Sequence, residues 1–300
     1  MAQDIEQVYI DTFESNLRHL AQQETSRVRA YVTERGVGSE NHNWERLGHA
    51  EAAAKSIYDG AGGVAATATP TNDRTFSRRV SVAASHNAGE YVGIESPVQM
   101  LVDPVSNLTQ SMGYAMRRQF DRTIIRAAVE ADALNGDGTS TTWAATDANQ
   151  KIGDGSTPIS FDMITEVQER FMNNNIYPEI PKVFVVGPKQ VRQLMNLTEN
   201  TSADYVHAQA LQNYGIAPNW LGFTWVASTL LNDLVVPLTD ELYCFAATQR
   251  ALGLHVPQDI HAEVAKDPAH SYAWRPYCEI TLGAVRVEDE QIVRAHVANV

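Results

Sequence analysis

Between Asp103 and Gly136 the sequence leaves little choice of conformation. Leu108, Met112, Ala115, Met116, Phe120, Ile124, Ala127, Ala128, Ala131 and Leu134 recur at spacings of three and four, which predicts one amphipathic helix with a single apolar stripe. Asp103-Pro104 supplies an N-cap and a proline at the first helical position, where a missing N–H costs nothing, and Asn135-Gly136 reads as the stop. A helix over 103–135 would span roughly 45 Å at about 1.5 Å per residue, longer than most globular helices. Its other faces are polar. Arg118, Arg122 and Arg126 form one row, while Arg117 with Asp121 and Arg126 with Glu130 stand one turn apart and can pair weakly.

The remaining segments arrange themselves around this spine. Residues 4–23 carry Ile5, Val8, Phe13, Leu17 and Leu20 at approximate helical spacing with no obvious local partner, so this extension is expected to pack on another chain. Arg27 to Arg35 alternates like a strand. Residues 36–75 are loose and rich in Gly, Ala, Ser and Thr, an excursion too long for a compact enzyme. Arg74 to Ala84 returns as a strand with Phe76, Arg78, Val80 and Val82 on one face, so the whole reads as a long, flexible hairpin. Past the spine, Asn135 to Pro158 reads as a polar linker. Ser160 then caps a helix carrying Phe161, Ile164, Val167 and Phe171; Lys182 to Pro188 is a buried strand closed by a turn, and Lys189 to Leu197 a second helix. With strands at Phe223–Ala227 and Glu241–Ala247 this is an α/β unit. The end of the chain, with an acidic turn at Glu288-Asp289-Glu290 between apolar strands, reads as a terminal hairpin that packs with a strand near Tyr91 to Ile94 against the spine.

Three hundred residues exceed the usual single domain and predict two lobes or one lobe with extensions, and 44% hydrophobic residues suffice for a core. No apolar run reaches the roughly 18 residues that span a bilayer, and Asp4 and Glu6 stand where a signal segment would be basic, so the expectation is a soluble chain made in the cytoplasm. Cys244 and Cys278, each within a strand-like run, are expected to be buried thiols. A formal charge of −13 argues against a nucleic-acid-binding module, which needs clustered Lys and Arg. An acidic wall can still enclose DNA without adhering to it.

A catalytic constellation is hard to find. The run Asp132 to Ser140 lacks the alternating acidic register of a calcium loop and has Ala144 where the closing glutamate belongs. His255, His261 and His270 with Glu263 are spaced six and nine apart, unlike a helical or zinc-finger ligand set. Neither a G-x-x-x-x-G-K-[ST] loop nor a G-x-S-x-G elbow occurs. Trp143, Trp220, Trp225 and Trp274 sit in separate segments and suit core or interface packing better than a ligand pocket. No cofactor and no metal are expected.

The stretch Tyr114 to Ile125 (YAMRRQFDRTII), preceded by Asp103-Pro104 and by Tyr91-Val92-Gly93-Ile94, resembles the region before and along the spine helix of tailed-phage major capsid proteins, the HK97-fold family. Leu20 to Arg29 (LAQQETSRVR) and Gly283 to Val287 (GAVRV) resemble the same group in order. The resemblance implies an α+β fold of five parts. They are an N-terminal arm (1–27), an extended loop (28–90), a peripheral domain (91–135 and 246–300) built on a spine helix at 103–135, a linker (136–158) and an axial domain (159–245). It implies a non-catalytic subunit that self-assembles, as hexamers and pentamers, into an icosahedral virion shell around double-stranded DNA without sequence-specific binding. Scaffolding, portal and cement proteins would be further partners. Inter-subunit or structural candidates are then Phe13, Leu17, Phe76, Arg78, Arg117, Arg118, Asp121 and Arg122, with Arg117 and Asp121 either a surface pair or a partly buried subunit contact. Some capsid relatives weld subunits through a lysine in the long loop; Lys55 is the only one there, in a helical-looking run, so welding is not expected. An encapsulin-like nanocompartment shell is the alternative, and an α/β enzyme with an unrecognised site ranks below it.

Overall fold

The computed structural model describes residues 22–50, 52, 74–93, 104–196, 220–234 and 240–300. The apolar stripe of the arm with Phe13 and Leu17, the loop residue Lys55 and the cap at Asp103 therefore lie outside the described residues.

Val28 and Val32 are buried one helical turn apart around a short 3-10 turn, Arg29–Tyr31, and only Thr33–Arg35 is strand (β1). The expected continuous strand over Arg27–Arg35 is thus corrected, since turning back puts both valines into the core where alternation would bury Ala30 too. The hairpin is present: β2 (Asn41–Leu47) pairs antiparallel with β3 (Phe76–Val82), from Asn41 opposite Val82 to Leu47 opposite Phe76. Phe76, Arg78, Val80 and Val82 share one face of β3, as expected, and that face is the outer one. Arg79 and Ser81 point into the protein, whereas Phe76 is 78% exposed, and Arg78 and Val82 lie outside. The strand expected near Tyr91–Ile94 lies earlier, as β4 (Ala84–Gly89), with a single bridge at Val92 to Trp274.

The spine, α1, covers Pro104–Val129. Met112, Met116, Phe120, Ile124, Ala127 and Ala128 are buried as the stripe predicts, and near the C-terminal end Ile125 and Val129 join them. The helix stops six residues before the Asn135-Gly136 signal. Those residues instead turn a small hairpin between β5 (Ala133–Leu134) and β6 (Ser140–Thr141), with Asp137 Oδ1 accepting from the Thr139 amide and hydroxyl and Gly138 at φ 83°. The segment read as a linker also carries structure: α2 (Trp143–Gln150) and β7 (Lys151–Ile152).

The second unit follows the sequence closely. In α3 (Phe161–Asn173) the Ser160 hydroxyl accepts from the Met163 amide as N-cap, and Ile164, Val167 and Phe171 face inward. β8 (Lys182–Val186) is buried throughout, α4 (Pro188–Met195) starts on its proline, and β9 (Thr224–Ala227) and β10 (Glu241–Thr248) complete the alternation. Phe184 stacks on Trp225 at 4.6 Å and 8°, with Phe223 and Trp220 around them. Cys244 and Cys278 are buried free thiols; burial pushes the Cys244 thiol up to about 12.

The end of the chain corrects the terminal-hairpin reading. β11 (Leu252–Asp267) and β12 (Ala273–Arg286) pair with each other and, with β1 and β4, form a four-stranded sheet in the order β1-β11-β12-β4. The last strand, β13 (Ile292–Ala298), turns away from β12 and enters the five-stranded sheet β7-β13-β10-β8-β9. The acidic turn is a crossing between sheets because Asp289 is held by guanidinium groups at the junction described next.

Candidate functional site: two arginine junctions on the spine

At mid-spine, α1 presents Asp121 with 0% exposure. Its carboxylate accepts from the amides of Arg27 (2.8 Å) and Val28 (3.1 Å), from Ser26 Oγ and from Gln23 Nε2. A buried carboxylate with four donors fixes the chain just before β1 onto the helix. Neighbouring arginines finish the clasp: Arg117 donates to the Glu24 carbonyl at 3.2 Å, and Arg118 to Gln22 Oε1 at 2.7 Å and to the Gln23 carbonyl. Burial, helped by nearby Arg122, draws the Arg118 guanidinium below its ordinary pKa. Arg117 and Asp121 therefore do not pair with each other; both engage residues 23–28. Arg122 pairs instead with exposed Asp233 at 3.1 Å. Arg29 lies 4.0 Å over the Phe120 ring and binds Glu34 through Nε and Nη2, which raises its pKa.

At the C-terminal end of the spine a second junction joins both sheets, the hairpin and α2. Arg294 of β13 donates to the Val129 carbonyl at 2.9 Å, a cation on the last turn of α1 where the helix dipole favours one. This contact, together with the β5–β6 pairing, explains why the helix ends early. Arg79 of β3 donates to the Ala133 carbonyl, Asn135 Oδ1, Thr141 Oγ1 and Asp289. Arg286 of β12 also binds Asp289 and reaches the Thr141 carbonyl. The guanidiniums of Arg286 and Arg294 lie 4.0 and 4.4 Å from the Trp143 ring, and that of Arg294 lies 4.2 Å from the Tyr243 ring. Burial lowers the pKa of Arg79 and Arg286, with Asp289 opposing.

Sequence reasoning singled out Arg78 and passed over Arg79. Arg78 is exposed, and what it gives the junction is a backbone carbonyl that accepts from the Gly136 amide at 3.0 Å. A Cβ on Gly136 would collide with the Arg78 side chain, so that close approach requires glycine. Arg286, Arg294 and Asp289 were also missed. Their signal was available: a lone arginine within Ala284-Val285-Arg286-Val287 or Ile292-Val293-Arg294-Ala295 sits in an otherwise apolar strand and needs a buried partner.

The histidines considered for a metal stand apart: His255 is buried against the Val37 carbonyl, and exposed His270 faces Asp267. Among the described residues no group of three His, Cys, Asp or Glu could hold a metal ion, and no helix is long and apolar enough to cross a membrane. An open groove beside Thr25, Arg29 and Arg117 has a volume near 450 Å³.

Comparison with known proteins accounts for this scaffold. The capsid of cyanophage P-SCSP1u superposes with a TM-score of 0.73 at 14% identity, covering 100% of this chain and 96% of the other. A chain of Mycobacterium phage Che8 gives 0.70 at 18% identity over 95% and 96%, and the capsid of cyanophage Pam1 gives 0.70 at 11% over 99% of each. The fold is thus that of phage capsid proteins, HK97-like. A search of curated protein sequences finds no match. The sequence profile described as phage capsid protein matches residues 5–298, and the chain belongs to that family.

Proposed function

We propose that this chain is the major shell subunit of a tailed-phage head, a virion component that acts by self-assembly and carries out no catalysis. The observation that supports this most is the outer face of the β2–β3 hairpin. Leu47 and Phe76 stand opposite each other in the ladder and are 54% and 78% exposed, with exposed Val82 further along. An apolar cross-strand pair turned to solvent on a hairpin suits a surface that a neighbouring copy covers. Many copies of such modest contacts, multiplied by closed symmetry, hold a shell.

In this reading the four-stranded sheet with the spine is the peripheral lobe. The five-stranded sheet with α3 and α4 is the axial lobe, to which Ile292–Ala298 is transferred. Copies associate as hexamers and pentamers around double-stranded DNA, which an acidic wall of net charge −13 encloses without gripping. Scaffolding, portal and cement proteins are the partners this role calls for. The family match favours a phage shell over a cellular nanocompartment.

Sedimentation of the purified chain with Leu47→Asp and Phe76→Asp together tests the hairpin assignment. The variant should keep the native circular dichroism of the subunit and fail to form fast-sedimenting particles. Particles as abundant as those of the parent chain would refute it.

A further inference from the structure

The base of the β2–β3 hairpin rests on the body of the subunit through an imidazole pair. His42 of β2 and His255 of β11 face each other with ring centroids 5.4 Å apart. His255 is fully buried; its Nε2 lies 2.9 Å from the Val37 carbonyl, which can only accept, so the proton is on Nε2, and buried Nδ1 has no partner. Trp44 meets His42 edge-on at 4.8 Å, donates to Ser81 Oγ at 3.0 Å, and lies flush on Gly253, where an added Cβ would come within 2.5 Å of the indole.

The groups around the pair are basic or neutral. From β1, Arg35 stands beside His255 in the ladder; from β12 its neighbour is Gly283; from β3 the partner of His42 is Ser81. Among the described residues, the groups acting on His42 are His255 and Arg35, and no carboxylate offsets them.

We propose that this pair is an acid-sensitive latch on the hairpin: with His42 neutral the facing rings seat β2 on β11, and protonated His42, desolvated against His255 and repelled by Arg35, releases the base. The second attachment, Arg79 to Asp289, lies two residues along β3 from Ser81, the partner of His42, so release at the base loosens the hairpin beside a point that stays held. Burial first, then His255 and Arg35, hold His42 below the ordinary imidazole pKa. The sign follows. The seated form binds fewer protons than the released form, so the latch is at full strength above about pH 6.5 and weakens as pH falls below it.

Hydrogen–deuterium exchange on the full chain tests this. Protection of 41–47 and 76–82, corrected for intrinsic exchange, should fall about tenfold or more between about pH 7.5 and about pH 5. Protection of 183–186 in the other sheet should hold. In His255→Gln, which keeps a donor for the Val37 carbonyl, and in His42→Gln at the half-buried partner, the pH-dependent loss should largely vanish. The second variant carries the test if the first fails to fold. Wild-type protection equal at both pH values, or a full acid loss persisting in the folded variants, would overturn the proposal.

Discussion

Asp121→Ala isolates the clasp between the spine and residues 23–28. The substitution removes the acceptor of two backbone amides, at 2.8 and 3.1 Å, and of two side chains, in a place with 0% exposure. Hydrogen bonds to a charged group contribute about 1.5–3 kcal/mol each, so the two amide bonds alone come to about 3–6 kcal/mol. The Arg27 side of the clasp is partly exposed, and water recovers part of its share, while the Val28 amide is buried and does not. We expect a net loss of about 3 kcal/mol, a large part of the roughly 5–15 kcal/mol available to a domain. Where tryptic cleavage tracks the open population, that loss makes cutting at Arg27 and Arg29 about a hundredfold faster. The assay is limited proteolysis of the unassembled subunit beside a urea melt. Arg122→Ala serves as control, since its exposed pair with Asp233 is worth about 0.5 kcal/mol or less. Unchanged cleavage and an unchanged midpoint in Asp121→Ala would show that the carboxylate does not hold this segment.

Four further outcomes follow from the same packing. Ile124→Asp places a carboxylate in the buried stripe at a cost of several kcal/mol and should abolish the folded subunit, whereas Arg118→Ala should melt within about 1 kcal/mol of the parent; equal melts would refute the face assignment. Arg286→Leu strips Asp289 of one of its two cations and Trp143 of one guanidinium neighbour, and should cost about 3–5 kcal/mol in a denaturant titration; a loss below about 1 kcal/mol would mean the junction is not stabilising. Cys244, with its thiol held up at about 12, should resist alkylation at about pH 8 until the chain unfolds, and rapid labelling of native protein would contradict its burial. Particles boiled in detergent and reductant should run as a single 33.1 kDa band, because the described lysines are engaged within the subunit, Lys182 with the Tyr177 and Ile180 carbonyls and Lys189 with that of Asn299. A ladder lost in Lys55→Ala would reverse this.

The parts legible in the sequence are those written in local periodicity. The spine stripe, the Ser160 cap and the buried run Lys182–Val186 each depend on residues within a few positions, and each stands where its pattern puts it. The failures come from residues whose role is set by distant partners. Arg79 faces inward because Ala133, Asn135, Thr141 and Asp289 converge on it, so the row of β3 with Phe76, Val80 and Val82 turns outward, against the rule that apolar means core. Asn135-Gly136 is equally good as a helix stop and as a hairpin turn, and only the cation of Arg294 on Val129 decides between them. The acidic turn after Val287 carries no local sign that β13 leaves for another sheet. In the candidate site Arg118 and Asp121 were read as important, but their partners lie more than ninety positions away and no spacing encodes them.

The central claim is that this subunit closes into a shell through its hairpin. Cryo-electron microscopy of particles formed by the purified chain tests it most directly. The account predicts closed icosahedral shells in which the outer face of β2–β3, with Leu47 and Phe76, is covered by a neighbouring copy. Monomers that never associate, or shells in which that face remains bare to solvent, would contradict it.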